Sequence, residues 1–367
     1  MNKKIHVGVL FGGVSGEHEV SLMSARSILS FLSGEKYEIT QIGITNDGKW
    51  VSGDNVLEKL ETGDLSGLTR VFLLPEPGKG HIYAMNGRGM DLIADLDVLF
   101  PILHGTFGED GNLKGLFEIT KIAYVGADVS ASAVCMDKGL FKDLMRAYNI
   151  RISDWLVVSR TRIESQIDQV MNQAEISLSY PMFVKPSKLG SSVGVTKCRG
   201  RSDLLEGLLD AAKYDQRIII EHAIDAREIE VSVLGNGDDI QASVPGEVTY
   251  SDDFYTYNAK YFDERTQLII PAPISPEKAA EIQDLAVRVF KIVGGSGMAR
   301  VDFLVDKDSG RVYMNELNTI PGFTNVSLFP KLWEHSGLPY ADLVDRLITL
   351  VLERKAELDK NLYIRDD

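Results

Sequence analysis

The sequence is poor in cysteine, which excludes a fold that depends on disulfide bonds. Its 367 residues contain two cysteines, Cys135 and Cys198, and neither lies in a Cys-x-x-Cys pair or in a Cys/His spacing suited to zinc. Small proteins stapled by disulfides contain more cysteines than this. The composition favours a reducing compartment, and we expect a cytoplasmic protein.

Long apolar runs and a surplus of basic residues are also lacking. No apolar run reaches the roughly 20 residues that cross a bilayer. The apolar stretch near the N-terminus ends at Gly12-Gly13, without the features of a signal peptide. Asp and Glu total 53 against 39 Lys and Arg, a formal net charge of −14. We therefore expect neither a nucleic acid nor a membrane as the main partner.

The rest of the composition is typical of a soluble protein with more than one domain. Hydrophobic residues make up 44% of the chain, and its length exceeds what one core usually organises. Apolar runs such as Ile5–Phe11 and Val98–Leu103 alternate with helical patterns such as Glu19–Leu32, which predicts a parallel sheet with crossover helices. The predicted units are an α/β domain at 1–126 and α+β units at 127–217 and 218–367.

Three glycine motifs match known signatures only in part. A P-loop spacing that begins at Gly43 ends in Trp50, where a Ser or Thr is needed for Mg²⁺. Residues 190–194 match G-x-S-x-G, but a nucleophile elbow needs a helix after the turn, and we predict a strand there. Residues 12–16 lack the order of a dinucleotide fingerprint. A serine hydrolase is therefore the weaker alternative to the sites described next.

The strongest candidate site lies in a predicted hairpin near the C-terminal end. Arg300 and Asp302 share one face of a strand by the period of two. The turn that follows brings Asp302 opposite Glu316, with Asn318 on the same face as Glu316. Two carboxylates and an amide suit a hard cation such as Mg²⁺, which completes its shell with phosphates and water.

A second group of residues is suited to a nucleotide. Lys185 ends an apolar strand, and the loop at 186–194 is rich in Ser and Gly, whose N–H and hydroxyl groups can surround phosphate oxygens. Lys138 adds a positive charge at the start of a helical turn, although a lone lysine is more often only solvated. Glu221 and Glu228 offer acceptors for an exocyclic amine or a ribose.

These residues lie in sequence blocks that resemble the D-alanine–D-alanine ligases of the ATP-grasp superfamily. The resemblance covers nearly the whole chain and implies a three-domain ATP-grasp architecture with an N-terminal Rossmann-like α/β domain. The matching blocks are FGGVSGEHEVSL (Phe11–Leu22), LHGTFGEDG (Leu103–Gly111), CMDK (Cys135–Lys138), VKPSKLGSSVGV (Val184–Val195), FYTYNAKY (Phe254–Tyr261), MARVDF (Met298–Phe303) and NELNTIPGFTNVSL (Asn315–Leu328).

The resemblance also implies a role for each candidate residue. ATP is held by Lys138, Lys185, Ser192, Glu221, Ile224, Glu228 and Lys260, and two Mg²⁺, for which Mn²⁺ can substitute, are held by Asp302, Glu316 and Asn318. The first D-alanine is bound by Glu17, which forms a hydrogen-bonded triad with Ser191 and Tyr261. The second D-alanine is bound by His104, Ser327 and Leu328, and the oxyanion is stabilised by Arg300 and the Gly322 N–H.

The reaction implied by the resemblance has two steps. The carboxylate of the first D-alanine attacks the γ-phosphate of ATP, and the amine of the second attacks the resulting acyl phosphate to give D-alanyl-D-alanine for peptidoglycan synthesis. Tyr261 favours the peptide product, because relatives that make the ester-linked product tend to carry Phe there. A D-alanine–D-serine ligase, another ATP-grasp carboxylate–amine ligase and a non-catalytic nucleotide sensor are the alternatives. The family further implies a homodimer.

Overall fold

The computed structural model describes residues 3–249 and 267–362, which form three β-sheets with helices packed against them. The N-terminal unit contains an eight-stranded sheet in the order β6-β5-β4-β3-β2-β1-β7-β8. Its elements are β1 (Ile5–Gly12), α1 (His18–Phe31), β2 (Tyr37–Ile44), β3 (Trp50–Ser52), α2 (Val56–Thr62), β4 (Thr69–Leu73), β5 (His81–Asn86), β6 (Gly89–Asp95), β7 (Val98–Ile102), α3 (Asn112–Thr120) and β8 (Ala123–Tyr124).

The predicted parallel sheet is correct for half of this unit and wrong for the rest. Strand β1 pairs in parallel with β2 and β7, and β7 pairs in parallel with β8. From β2 to β6 the pairing is antiparallel. Connections as short as 45–49 and 87–88 allow hairpins, whereas a parallel crossover needs a dozen or more residues. The apolar β1 is buried at the centre, so the loop that follows it opens at the carboxyl edge of the parallel strands.

The central unit has a four-stranded antiparallel sheet in the order β11-β10-β12-β9. The strand β12 (Arg217–His222) is the last of this sheet in chain order, and it crosses the predicted unit boundary at 217/218. The sheet therefore extends five residues beyond that boundary. The elements are α4 (Val129–Met136), α5 (Lys138–Ala147), β9 (Trp155–Ser159), α6 (Arg160–Ser177), β10 (Met182–Pro186), β11 (Thr196–Cys198), α7 (Arg201–Tyr214) and β12 (Arg217–His222).

The chain between residues 129 and 147 forms two helices and not one continuous helix. The break is at Asp137, whose extended backbone ends α4 and whose carboxylate accepts the N–H groups of Gly139 and Leu140 at the start of α5. An aspartate in this position caps the unpaired donors of a helix N-terminus. The break therefore places Lys138 on the first turn of a new helix.

The C-terminal unit has a sheet in the order β16-β15-β13-β17-β18, with β14 paired to β13. The predicted hairpin register is confirmed, because Asp302 lies opposite Glu316 and Arg300 lies opposite Asn318. The elements are β13 (Ala226–Asn236), β14 (Asp239–Ala242), β15 (Gly246–Thr249), β16 (Gln267–Ile269), α8 (Pro276–Ile292), β17 (Gly297–Asp306), β18 (Val312–Asn318), α9 (Leu328–His335) and α10 (Tyr340–Leu358).

The last helix joins the two ends of the chain. Leu343 and Leu347 of α10 belong to the same buried cluster as Val7 of β1. Arg354 donates hydrogen bonds to the backbone oxygens of Tyr124 at 2.7 Å and Gly126 at 2.6 Å. The N-terminal unit is thereby fixed against the C-terminal sheet. Among the described residues, no helix is long and apolar enough to span a bilayer.

Candidate active site

A cavity of about 640 Å³ lies where the three units meet. All the predicted site residues within the described ranges line it, whereas Lys260 and Tyr261 lie outside those ranges. The N-terminal unit contributes Glu17 and His104, the central unit and the link after it contribute Lys138, Lys185, Ser191, Ser192, Glu221 and Ile224, and the C-terminal unit contributes Glu228, Arg300, Asp302, Glu316, Asn318, Gly322, Ser327 and Leu328.

The hairpin of β17 and β18 forms a wall of the cavity that carries the predicted metal ligands. A β-bulge follows Asp302, where the register with β18 shifts. The side-chain amide of Asn318 donates to Asp302 Oδ2 at 3.0 Å, which leaves its amide oxygen as the atom suited to a cation. No cluster of three or more His, Cys, Asp or Glu side chains suited to a metal occurs within the described ranges. Asp302 and Glu316 with one amide oxygen nevertheless fit a hard divalent cation that shares its shell with phosphates.

Arg300 lies between carboxylates in this wall. Its guanidinium donates to both oxygens of Asp302 at 2.8 and 2.7 Å, and its Nε is 2.8 Å from Glu230 Oε2. Burial alone would lower the pKa of Arg300, but Asp302 and Glu230 outweigh it and hold that pKa well above its usual value. Arg300 is therefore a fixed positive charge facing the cavity.

The opposite wall carries a buried ion triad. Glu221 on β12 is 2.6 Å from the ammonium of Lys185 on β10 and 3.2 Å from that of Lys142 on α5. Burial opposes ionisation of Glu221, but the two lysines lower its pKa to about 2. Both oxygens of Glu221 are thus engaged by lysines, whereas the sequence predicted an acceptor for an amine or a ribose.

The loop after β10 covers the cavity in a strained conformation. Ser191 and Ser192 have φ values of 51° and 58°, which non-glycine residues rarely adopt and which cluster at functional sites. The Ser191 hydroxyl donates to Glu17 Oε1, and Lys138 Nζ donates to the Leu189 oxygen at 2.9 Å. The first element after Ser192 is the strand β11, as predicted, and not the helix that a nucleophile elbow requires.

The N-terminal wall holds Glu17 against a buried histidine. The Ser15 hydroxyl donates to the His104 oxygen at 2.9 Å and accepts the Glu17 N–H at 3.0 Å. Burial lowers the pKa of His104, which favours the neutral imidazole. Gly105 is required here, because its φ is +74° and a Cβ on it would lie 2.5 Å from Glu17 Oε2. The Glu17 carboxylate therefore packs directly against the backbone of Gly105, in the loop after β7.

The start of α9 forms the remaining wall. Ser327 is the residue before the helix, and its hydroxyl accepts the Thr324 N–H at 3.0 Å and caps no N–H of α9. Unpaired N–H groups at a helix N-terminus favour a carboxylate. A Cβ on Gly322 would lie 2.7 Å from Ser327 Oγ, so the backbone at 322 comes close to this helix start only because it is glycine.

Sequence reasoning missed four groups that support the site, three of them buried and the fourth, Glu109, partly buried. Glu230 follows Glu228 by two residues in β13, so the period of two was a signal that both face the cavity. Lys142 follows Lys138 by one helical turn, which was a comparable signal. The other two are Asp137, which holds the covering loop, and Glu109, whose Oε2 accepts the Gly105 N–H at 2.6 Å.

The fold and the cavity define the class of protein. Two α+β units close on a cleft with lysines and a Ser/Gly loop on one side and the carboxylates predicted to bind metal on the other, which is the ATP-grasp architecture expected from the sequence. Two protein-family models match the chain. The family model of the D-ala D-ala ligase N-terminus matches residues 6–127, and the family model of the D-ala D-ala ligase C-terminus matches residues 144–349. The chain belongs to the D-alanine–D-alanine ligase family.

Relatives and solved structures agree with this membership over the full chain. The D-alanine–D-alanine ligase of Natranaerobius thermophilus is 45% identical over 98% of both chains, and that of Caldicellulosiruptor bescii is 46% identical over 99% of both. The structure of the D-alanine–D-alanine ligase from Coxiella burnetii covers 97% of this chain and is itself covered to 96%, at 35% identity and a TM-score of 0.82. The VanG D-Ala:D-Ser ligase from Enterococcus faecalis covers 95% and is covered to 100%, at 33% identity and a TM-score of 0.85.

Proposed function

We propose that this chain joins two D-alanine molecules to D-alanyl-D-alanine with the conversion of ATP to ADP and phosphate, and so supplies a precursor of peptidoglycan. The observation that carries the proposal is the hydrogen bond from Ser191 to Glu17. It joins the loop over the predicted phosphate site to the acid that faces the first amino acid. A nucleotide and an amino acid bound on either side of this contact lie next to each other.

The first step uses the charges that the cavity brings together. We assign Glu17 to hold the ammonium of the first D-alanine. The carboxylate of this D-alanine then points toward the γ-phosphate and attacks the γ-phosphate to form D-alanyl phosphate. Lys138 and Lys185 line the same cavity, and with the N–H groups of the loop they offset the negative charge that the transferring phosphoryl group spreads over its oxygens. Ile224, Glu228 and, outside the described residues, Lys260 complete the nucleotide site.

The metal site is assigned to the hairpin wall. Asp302, Glu316 and Asn318 would hold two Mg²⁺, or Mn²⁺ in their place, and such ions neutralise phosphate charge and orient the phosphoryl group. Asp302 lies beside Arg300 in the structure, so the guanidinium supplies positive charge to the same carboxylate that would bind a cation. The two positive groups therefore share one anionic wall.

The second step uses the opposite end of the cavity. The carboxylate of the second D-alanine is placed at Ser327 and Leu328, at the start of α9, with His104 beside it. Its amine attacks the acyl phosphate carbonyl, and Arg300 with the Gly322 N–H stabilises the oxyanion, which is worth about 3–4 kcal/mol for one such donor. The tetrahedral intermediate then collapses: the bond between its central carbon and the phosphate oxygen breaks, phosphate leaves and the peptide bond remains. Tyr261, outside the described residues, is proposed to close this site with Glu17 and Ser191.

The cellular setting follows from family membership and composition. We assign the protein to the cytoplasm as a homodimer, with ATP and D-alanine as its small-molecule partners. Analytical ultracentrifugation at micromolar concentration tests the oligomeric state, and a sedimenting species of 40.6 kDa, the mass of one chain, would contradict the homodimer.

Phosphate release from ATP tests the proposed activity. We expect release to depend on D-alanine, and chromatography to show D-alanyl-D-alanine as the product. D-Serine is offered together with D-alanine because the similar VanG structure is named a D-Ala:D-Ser ligase, and D-lactate is offered because an ester-linked product is the alternative to the peptide. A mixed D-alanyl-D-serine product in preference to D-alanyl-D-alanine would select that alternative. Release with L-alanine instead, or no release at all, would contradict the proposal.

A further inference from the structure

Lys142 is a buried lysine in the middle of α5 to which the proposed mechanism gives no role. Its ammonium donates to Ser153 Oγ at 2.7 Å and lies 3.2 Å from Glu221 Oε1 and 5.8 Å from the centre of the Trp155 ring. A buried ammonium is costly unless it is paired and hydrogen-bonded. The surroundings of Lys142 meet that requirement through Glu221, a group that lines the cavity.

Glu221 is shared between two lysines. Its Oε2 is 2.6 Å from Lys185 Nζ, while Oε1 faces Lys142. With all three groups ionised, the triad has one negative and two positive charges. Burial lowers the pKa of Lys142 and Glu221 opposes this, while the pKa of Lys185 is raised because Glu221 outweighs its burial. The net positive charge of the triad is therefore presented by Lys185, which lines the cavity, whereas Lys142 does not.

We infer that Lys142 is a positioning residue that engages one oxygen of Glu221 and so leaves Lys185 with positive charge to attract the phosphates of the nucleotide. Without Lys142, Lys185 and Glu221 would form a neutral pair, which attracts a triphosphate weakly. The inference rests on the proposed ATP-dependent function. It separates Lys142, which acts through Glu221, from Lys138 and Lys185, which face the nucleotide.

Calorimetric binding of ATP and of adenosine to the full-length protein tests the inference. Lys142→Met keeps the length of the side chain and removes its charge. One unit charge about 10 Å from a phosphate, at an effective dielectric constant of about 20, changes anion binding by about tenfold. We expect ATP to bind Lys142→Met about tenfold more weakly and adenosine, which has no phosphate, to bind as before. Lys142→Arg should restore ATP binding.

A second buried lysine provides the matched control. Lys114 also donates to a serine hydroxyl, Ser132 Oγ at 2.5 Å, and it does not line the cavity. Lys114→Met should lower thermal stability without changing ATP affinity. Lys142→Gln keeps a hydrogen-bonding group toward Ser153 and serves as a second neutral variant if the methionine variant does not fold.

The outcomes separate a charge effect from a structural one. An equal loss of ATP and adenosine affinity in the Lys142 variants would show that the side chain only supports the site, and unchanged ATP affinity would show that its charge is irrelevant. Either result overturns the inference. Binding requires no turnover, so these results are independent of the phosphate-release assay, whose failure would instead contradict the proposed ligase function.

Discussion

Glu316 faces Asp302 across the hairpin, so removing the charge of this one residue tests the metal assignment. Glu316→Gln keeps the shape of the side chain but removes the charge that would neutralise a cation. We expect turnover in Mg²⁺ to fall at least a hundredfold while the circular dichroism spectrum stays unchanged. Asp308→Asn, at the exposed tip of the same hairpin, is the control and should keep full activity.

Wild-type activity of Glu316→Gln at limiting Mg²⁺ would contradict the metal assignment. If activity is lost, a measurement of metal binding distinguishes the loss of a metal ligand from a general effect on catalysis. Mn²⁺ titration followed by electron paramagnetic resonance should show weaker binding to Glu316→Gln and normal binding to Asp308→Asn. Equal Mn²⁺ affinity in both variants would place the cation elsewhere in the cavity.

Glu17 is the acid expected to recognise the first substrate. Glu17→Gln removes the charge that faces the ammonium but leaves an acceptor for the Ser191 hydroxyl. We expect the KM for the first D-alanine to rise at least tenfold and the KM for ATP to change less than twofold. Initial rates with each substrate varied in turn give both constants.

The control for Glu17 lies two residues further along the chain. Glu19→Gln makes the same change in net charge on an exposed residue in the first turn of α1, where an acid only complements the helix dipole. It should leave both constants unchanged. A parallel rise of both KM values in Glu17→Gln would remove Glu17 from the first amino-acid site.

Asp137 joins a helix to the loop over the cavity, which makes it a test at the scale of elements. Besides capping α5, its Oδ1 accepts the Ser187 hydroxyl at 2.7 Å at the base of that loop. Asp137→Ala should lower the free energy of unfolding by about 2 kcal/mol, the upper range for a lost cap. It should also increase hydrogen exchange at 187–194 and raise the KM for ATP.

The matched control is the cap of the preceding helix. Asp128 accepts the Ala131 N–H at 2.8 Å at the start of α4, whereas the hydrogen bond to Ser187 in the loop is made by Asp137. Asp128→Ala should lose comparable stability in urea denaturation without faster exchange in the loop. If exchange in the loop rose equally in both variants, the contact from Asp137 to Ser187 would not be what holds it.

The elements near the site could be predicted from the sequence because their signals are local. The period of two gave the face shared by Arg300 and Asp302, and the turn gave the register with Glu316 that the structure confirms. The antiparallel strands β3, β5 and β6 were missed, since Trp50–Ser52 is too short and Gly89–Asp95 too exposed to give a clear apolar pattern.

Partners that are distant in sequence could not be predicted from local pattern. The sequence indicates that Glu221 is an acceptor, but not that Lys142 and Lys185 take up its two oxygens, because this depends on how α5 and β10 pack on β12. The same holds for the contact of Glu230 with Arg300, because this contact depends on the pairing of β13 with β17. The partners of a buried polar group depend on which elements pack against it, and local periodicity does not contain that information.

At the scale of the whole molecule, Glu109 links stability to pH. Burial raises the pKa of Glu109 from 4.5 to about 8, and the nearby Glu17 adds to this, so the folded state keeps a proton that the unfolded state loses above pH 4.5. A raised pKa stabilises the fold fully below 4.5, and this contribution is lost as pH rises toward 8. Because the side chain is partly exposed, we expect a loss of about 2 kcal/mol, below the full shift.

Thermal unfolding of the parent and of Glu109→Gln between pH 5 and pH 9 tests this link. The glutamine variant cannot titrate at this position, and its amide can still accept the Gly105 N–H. We therefore expect the Tm of the parent to fall relative to that of Glu109→Gln as pH rises from 5 to 8, with the difference levelling off above 8. Glu164→Gln, an exposed acid on α6, should follow the parent at every pH. A constant difference in Tm between the parent and Glu109→Gln across this range would show that Glu109 is already ionised in the folded protein at pH 5. Burial and the nearby Glu17 would then not raise the pKa of Glu109.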